Sequence, residues 1–176
     1  AGRLAVYLAT KGRGVGDNLQ KLLAGLDDLT ICEECGNISQ SAKCTICSDD
    51  SRGTEQLLIV ESPLDLVQFE RTGEYAGRYI VLGKLISPVN GVTVRDTNVD
   101  LLLDYLKAHK PAEIILGLSS TVEADATAMY VIQQAKNILP DVQITRLARG
   151  LASGVSLEYL DTSSLLGALN NRVVAE

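Results

Sequence analysis

The stretch LLIVESPLD, Leu57 to Asp65, decides how the rest of the chain is read. Four apolar residues run into a single carboxylate, Glu61, and a Ser-Pro turn follows at once. A continuous aliphatic run bounded by turn residues reads as a strand buried on both faces, as in parallel sheets covered by helices. Glu61 then stands at the carboxyl end of that strand, where open α/β sheets keep their ligands. Two roles are open to it: a catalytic, metal-binding acid, or a residue of a fold that has given up chemistry.

Working outward from Leu57, the pattern alternates. A helix is expected near 63–72, a strand at YIVL (79–82), a helix near 98–109, a strand at EIILGL (113–118), a helix near 122–138 and a strand at VQITRL (142–147). Apolar strands alternating with amphipathic helices call for an α/β fold with a parallel sheet flanked by helices. The loop GKLISPVNGVTVRDTN is rich in Gly, Pro, Asn and Asp, and a loop of that length in a compact domain is functional or mobile as a rule. DTSSLLGALNNR opens with an N-cap signature and reads as a short helix.

Toward the amino end, residues 3–10 and 17–29 read as helices, the second with Asp17 as its N-cap and Leu19, Leu22, Leu23 and Leu26 on one face. KGRGVGD between them reads as a flexible basic connection. Its Gly12, Gly14 and Gly16 do not make a dinucleotide loop, because no strand precedes them. The chain starts at Ala1 as if in mid-helix, so a further N-terminal piece is expected.

Composition sets the limits. At 176 residues there is room for one ordinary domain with small appendages, and 46% apolar content with 4% aromatic and no Trp means an aliphatic core. No apolar run approaches the roughly 20 residues that span a bilayer, and there is no signal-peptide pattern. A net charge of −6 argues against a strong free-standing nucleic-acid binder. The charge is uneven: residues 1–31 hold four bases against three acids, residues 32–56 two against five. Arg3, Lys11 and Arg13 are therefore the candidates for contact with DNA. The single histidine, His109, removes most Ser-His and Cys-His nucleophile schemes.

All four cysteines fall in one window as C-x2-C-x8-C-x2-C: Cys32, Cys35, Cys44 and Cys47. Two C-x-x-C knuckles place four thiolates around one ion, and with four sulfurs the coordination sphere is closed, so the ion is structural Zn2+, one per chain. Disulfides are disfavoured without a secretory signal. The residues between the knuckles are polar and bury no core unaided; the metal holds them.

Strand, VES, helix, and a later strand ending in an acidic turn resemble the topoisomerase/primase (Toprim) fold. Its catalytic members place a glutamate after the first strand and an Asp-x-Asp pair after the third, gathering oxygen ligands for Mg2+. Here Ser119 and Thr121 take the positions of that pair, and the acids that follow, Glu123 and Asp125, fall in the first turn of a helix that Thr121 caps.

The cysteine pattern, VESPLD, ERTGEYAGRYIVL, LISP-x-x-G, TVEADATA and RLARGLASGVSLEYLD occur in the order of the bacterial recombination-mediator family RecR, and the resemblance covers nearly the whole chain. It implies a non-enzymatic DNA repair and recombination factor of the cytoplasm, associated with the nucleoid. It implies subunits that form dimers or tetramers, rings that encircle DNA, and partners RecO and RecF that help load RecA at single-strand gaps. By this resemblance the chain divides into an N-terminal helical remnant of a helix-hairpin-helix (1–31), the zinc finger (32–56), the Toprim domain (57–147) and an assembly segment (148–176). The hairpin's LPGVG turn does not occur here, Ser119-Ser120 replaces Asn-Pro, Ala124-Asp125 replaces Gly-Glu, and no Gly-Pro follows the LISP motif. Glu61, Asp65, Glu123 and Asp125 are expected to form an acidic face that docks a basic partner. The competing readings are a Mg2+-dependent nuclease or primase-like enzyme using Glu61, Glu123 and Asp125, and a zinc-ribbon module bound only to protein.

Overall fold

The structure is a computed structural model that describes residues 2–10, 12–148, 150–151 and 154–172, with Leu4, Arg13 and Ser163 described by backbone alone. Its centre is a four-stranded, all-parallel sheet of β3 (Gln56–Val60), β4 (Arg78–Val81), β5 (Glu113–Gly117) and β6 (Gln143–Arg146), in the order β4-β3-β5-β6. The register pairs Val60 with Val81 and with Gly117, so Glu61 leaves the sheet between the ends of its two neighbours.

The side chains of β3 alternate between two apolar layers. Leu57 and Ile59 join Ile80, Ile114 and Leu116 beneath α4 (Val99–His109) and α5 (Val122–Ile138), through Leu102, Leu106, Ala128 and Val131. Leu58 and Val60 join Tyr79 and Val81 beneath α3 (Pro63–Thr72), through Leu66 and Phe69. That two-sided burial is what the unbroken LLIV run anticipates. Local chemistry sets the helix starts. Ser62 and Asp65 form a capping box before α3 with Pro63 in its first turn, Thr121 accepts from the Ala124 amide at 3.2 Å, and Asp161 accepts from the Ser164 amide at 2.9 Å ahead of α6 (Thr162–Asn170).

The amino end differs from the sequence reading. α1 spans Gly2–Thr10, but α2 runs Arg13–Ala24, taking in Gly14 and Gly16 and placing Asp17 inside the helix rather than at its cap. Gly12 is the N-cap, and the Gly16 amide bonds to its carbonyl at 2.7 Å. Glycine lowers helix propensity by only about 1 kcal/mol each, a cost that α2 carries although Val15, Leu22 and Leu23 stay exposed. Gly12 also lets the two helices approach, since a Cβ there would lie 3.1 Å from the Leu8 backbone. Lys11 lies outside the described residues.

The long loop after β4 is tightly bonded. Ser87 and Val92 exchange backbone hydrogen bonds of 3.0 and 2.9 Å, Thr93 and Asp96 form a second capping box, and the Ile86 amide donates to the buried Thr127 hydroxyl of α5 at 2.8 Å. The loop is thus fastened to α5 across the carboxyl edge of the sheet. No described helix is long and apolar enough to cross a membrane.

Candidate functional site

Two places carry the chemistry-bearing residues: the cysteine window and the carboxyl edge of the sheet. In the first, Cys32, Cys35, Cys44 and Cys47 bring their sulfurs within 4.8 Å of one another, with Cys35 and Cys44 at 3.6 Å. Around an ion with Zn–S bonds of about 2.3 Å, tetrahedral sulfurs sit roughly 3.8 Å apart, so this quartet fits such an ion with little adjustment. Among the described residues it is the one group of three or more His, Cys, Asp or Glu with ligand atoms in reach of a single ion.

Backbone amides favour the thiolate at Cys32. Burial works against charge at Cys32, yet amides of Cys44, Cys35 and Glu34 aimed at its sulfur outweigh that and bring the thiol down to about 7. The Cys44 amide reaches the Cys32 sulfur at 3.3 Å. Cys44 is pushed up by burial, and Cys47 is pushed up by its hydrogen bond with Cys35 and then by burial. An ion removes that penalty by replacing protons with a shared positive charge.

A small antiparallel ribbon, β1 (Thr30–Ile31) with β2 (Ile38–Ser39), carries the first knuckle, an element the polar sequence did not announce. The knuckle lies along the outer edge of β4: the Val81 amide donates to the Cys35 carbonyl at 2.7 Å, and Asn98 Nδ2 donates to the Val81 carbonyl at 2.8 Å. Gly36, at φ +75°, turns the chain so closely there that a Cβ would meet Asn98 Nδ2 at 2.6 Å and the Val81 oxygen at 2.8 Å. The finger therefore covers an edge strand that would otherwise expose unpaired backbone. Cys32, Cys35 and Cys44 lie in the same buried cluster as Leu82, Val99 and Leu102. So the finger shares the sheet's core, where the sequence reading left it held by metal alone.

At the carboxyl edge, Glu61 Oε1 accepts a hydrogen bond from the Ser119 amide, tying the end of β3 to the turn after β5. The Ser119 and Thr121 hydroxyls lie 3.4 Å apart. Asp65 faces back into its own turn, accepting from the Ser62 amide at 2.9 Å and hydroxyl at 2.7 Å. It still lines, with Glu61 and Ser119, a shallow cavity of about 250 Å³. Asp125 pairs with Arg146 at 2.7 Å, on the wall of a neighbouring groove of about 480 Å³ that also includes Ser119 and Ser120. Glu123 and Asp125 occupy the first turn of α5, where a carboxylate is favoured by the helix dipole. Glu61, Glu123 and Asp125 do not gather around a common point among the described residues. Hydroxyls between scattered carboxylates are a poor cage for Mg2+, which wants near-octahedral oxygen ligands.

Of the basic candidates, Arg3 is exposed on α1, Arg13 opens α2, and Lys11 falls outside the described residues. Sequence reasoning missed Gly36, Arg78 and Asn98, which join finger to sheet. Their partners are mainly backbone carbonyls, which leave no side-chain signature to read.

A parallel β4-β3-β5-β6 sheet with a lone glutamate after its first strand, joined to a four-cysteine finger along its edge, defines a Toprim protein with an attached metal-binding finger. The comparisons agree: residues 55–148 match the Toprim domain, and residues 29–49 match the four-cysteine zinc finger domain of RecR. Recombination protein RecR of Streptococcus equi subsp. zooepidemicus is 42% identical over 173 residues, covering 98% of this chain and 86% of the relative. That of Herpetosiphon aurantiacus is 41% identical over 174 residues, covering 98% and 84%. The chain belongs to the RecR family of recombination proteins, and its role lies in recombination and repair.

Proposed function

We propose that this chain is a non-enzymatic mediator of recombinational repair, a ring-forming subunit that holds DNA and acts with RecO and RecF to help load RecA at single-strand gaps. The observation that carries the reading is the state of the Toprim edge. Glu61 is engaged with the Ser119 amide, and Ser119 and Thr121 stand where phosphoryl transfer would need aspartates. The edge is left with acids and, among the described residues, no metal cage.

Cys32, Cys35, Cys44 and Cys47 hold one structural Zn2+, which supplies cross-linking and no chemistry, since four thiolates close its coordination sphere. Exposed apolar side chains at both ends support homo-oligomers: Val6, Tyr7 and Leu22 in the N-terminal helices, Leu157, Tyr159 and Leu169 in the C-terminal segment. Arg3, Lys11 and Arg13 are the DNA-facing bases. Each is weak alone, and a ring adds their contributions through effective concentration.

The acidic edge of Glu61, Asp65, Glu123 and Asp125 is the docking face for a basic surface of RecO or RecF. Leu64 beside Asp65 is 74% exposed and Val122 beside Glu123 is 83% exposed, giving that face the apolar component a protein interface needs. Glu123 is the clean probe, because Asp65 serves a cap and Asp125 an ion pair. Glu123→Lys is expected to weaken association with the docked partner by roughly tenfold or more, as opposing like charges costs on the order of 1–3 kcal/mol at an interface. Melting falls by only a few degrees, through the lost helix-dipole contribution of about 0.3–1 kcal/mol. Unchanged affinity for both RecO and RecF, measured by titration, would remove this face from the account.

A further inference from the structure

The second knuckle is held by a residue from the sheet. Arg78, the first residue of β4, donates from Nη1 to the carbonyls of Ile46 and Cys47, both at 2.9 Å. From Nη2 it donates to the carbonyls of Asp49 at 2.9 Å and Arg52 at 3.4 Å. One planar guanidinium thus collects four main-chain oxygens from the segment that closes the metal quartet. Cys47 is the one ligand of the four that is not fully buried, and it shares with Arg78 a pocket of about 160 Å³. Cys32, Cys35 and Cys44 are buried within the core cluster, whereas Cys47 packs against it only partly buried, so its position depends also on the fold of residues 46–52 that Arg78 holds.

We infer that Arg78 is the positioning residue of the metal centre: through the Cys47 carbonyl and its neighbours it sets the fourth ligand, and its charge opposes that of the dianionic zinc–tetrathiolate. This rests on the zinc reading given above. Outer residues that orient ligands typically govern metal retention by one to two orders of magnitude, and a guanidinium serves here because a single ammonium cannot span four oxygens in a plane. Arg78 also carries the coupling in reverse. Since it begins the edge strand whose other end, Val81, bonds to the Cys35 carbonyl, the two knuckles grip β4 at both ends.

The test is zinc release from the folded protein to an excess of a chromogenic chelator, with metal content measured beforehand by mass spectrometry. Arg78→Gln is expected to release zinc roughly 10–100-fold faster than the unmodified chain, and Arg78→Lys to fall between them. The visible absorption bands of the cobalt-substituted protein should shift in Arg78→Gln, reporting an altered tetrahedral site. Leu66→Ala, in the core beneath α3 on the opposite face of the sheet, is the control for general destabilisation, and should release zinc at the unmodified rate. Equal release from Arg78→Gln and the unmodified chain would overturn the inference, as would equal acceleration by Leu66→Ala. Where Arg78→Gln does not fold, Arg78→Lys decides: faster release supports the role, unchanged release overturns it. An unmodified protein that carries no stoichiometric metal would instead overturn the zinc reading itself.

Discussion

Cys44→Ser is expected to yield a protein without bound metal and with a melting temperature lowered by roughly 10 °C or more across the whole chain. The size follows from two magnitudes. Structural zinc contributes on the order of 10 kcal/mol of apparent binding free energy, and a chain of this length loses about 2–4 °C per kcal/mol. Losing a third of that contribution already gives the stated shift. The breadth follows from the packing, because Cys44 is 4% exposed and sits in one buried cluster with residues of the sheet and of α4. A serine there leaves a polar group in that cluster and three thiols without their ion. Calorimetry and metal analysis of the purified variant check both parts. A variant that loses its metal yet melts like the unmodified protein would show the finger to be an independent appendage, against the shared core.

Gly36→Ala is the second large effect, and it separates docking from metal ligation because the substitution touches no cysteine side chain. The backbone at Gly36 is left-handed, and an added Cβ would press on the Val81 carbonyl at 2.8 Å, which belongs to a strand and cannot step aside. Strain at such a position costs about 1–3 kcal/mol, and overpacking against fixed backbone costs a similar amount, so a loss of roughly 2–5 kcal/mol is expected. Gly91→Ala is the matched comparison. Gly91 has φ +70° but nothing within 4 Å of the added carbon, so it bears the backbone share of that loss alone, about 1–2 kcal/mol. Denaturant midpoints of the two variants should therefore differ clearly. Equal midpoints would mean that the first knuckle does not bear on β4.

The sheet was legible because its strands are short aliphatic runs and its helices carry their own start signals. Leu57–Val60, Tyr79–Val81, Ile114–Leu116, the Ser-Pro turn at Ser62 and the caps at Thr121 and Asp161 state the alternation directly. The beginning of α2 was misread because glycine marks turns more often than helices, and a penalty of about 1 kcal/mol each does not keep Gly14 and Gly16 out of this one. The β1–β2 ribbon escaped notice because two-residue strands have no period to detect. The site followed the same division. That Glu61 ends β3 and that Thr121 caps α5 come from local order in the sequence. That Glu61 bonds the Ser119 amide, or that Arg78 gathers four carbonyls, depends on backbone atoms brought together from distant segments, and no residue type announces such a contact.

What unites these features is a Toprim frame without a cluster of metal-ligating acids at its carboxyl edge among the described residues, joined to a finger whose four cysteines are the group that can hold an ion. The most direct measurement incubates single-stranded and gapped DNA with the unmodified protein and with Glu61→Gln, in Mg2+ and then in Mn2+, and follows strand cleavage and nucleotidyl transfer. Neither protein should turn over DNA above the protein-free background. Divalent-dependent turnover by the unmodified chain, abolished in Glu61→Gln, would contradict the account at its root.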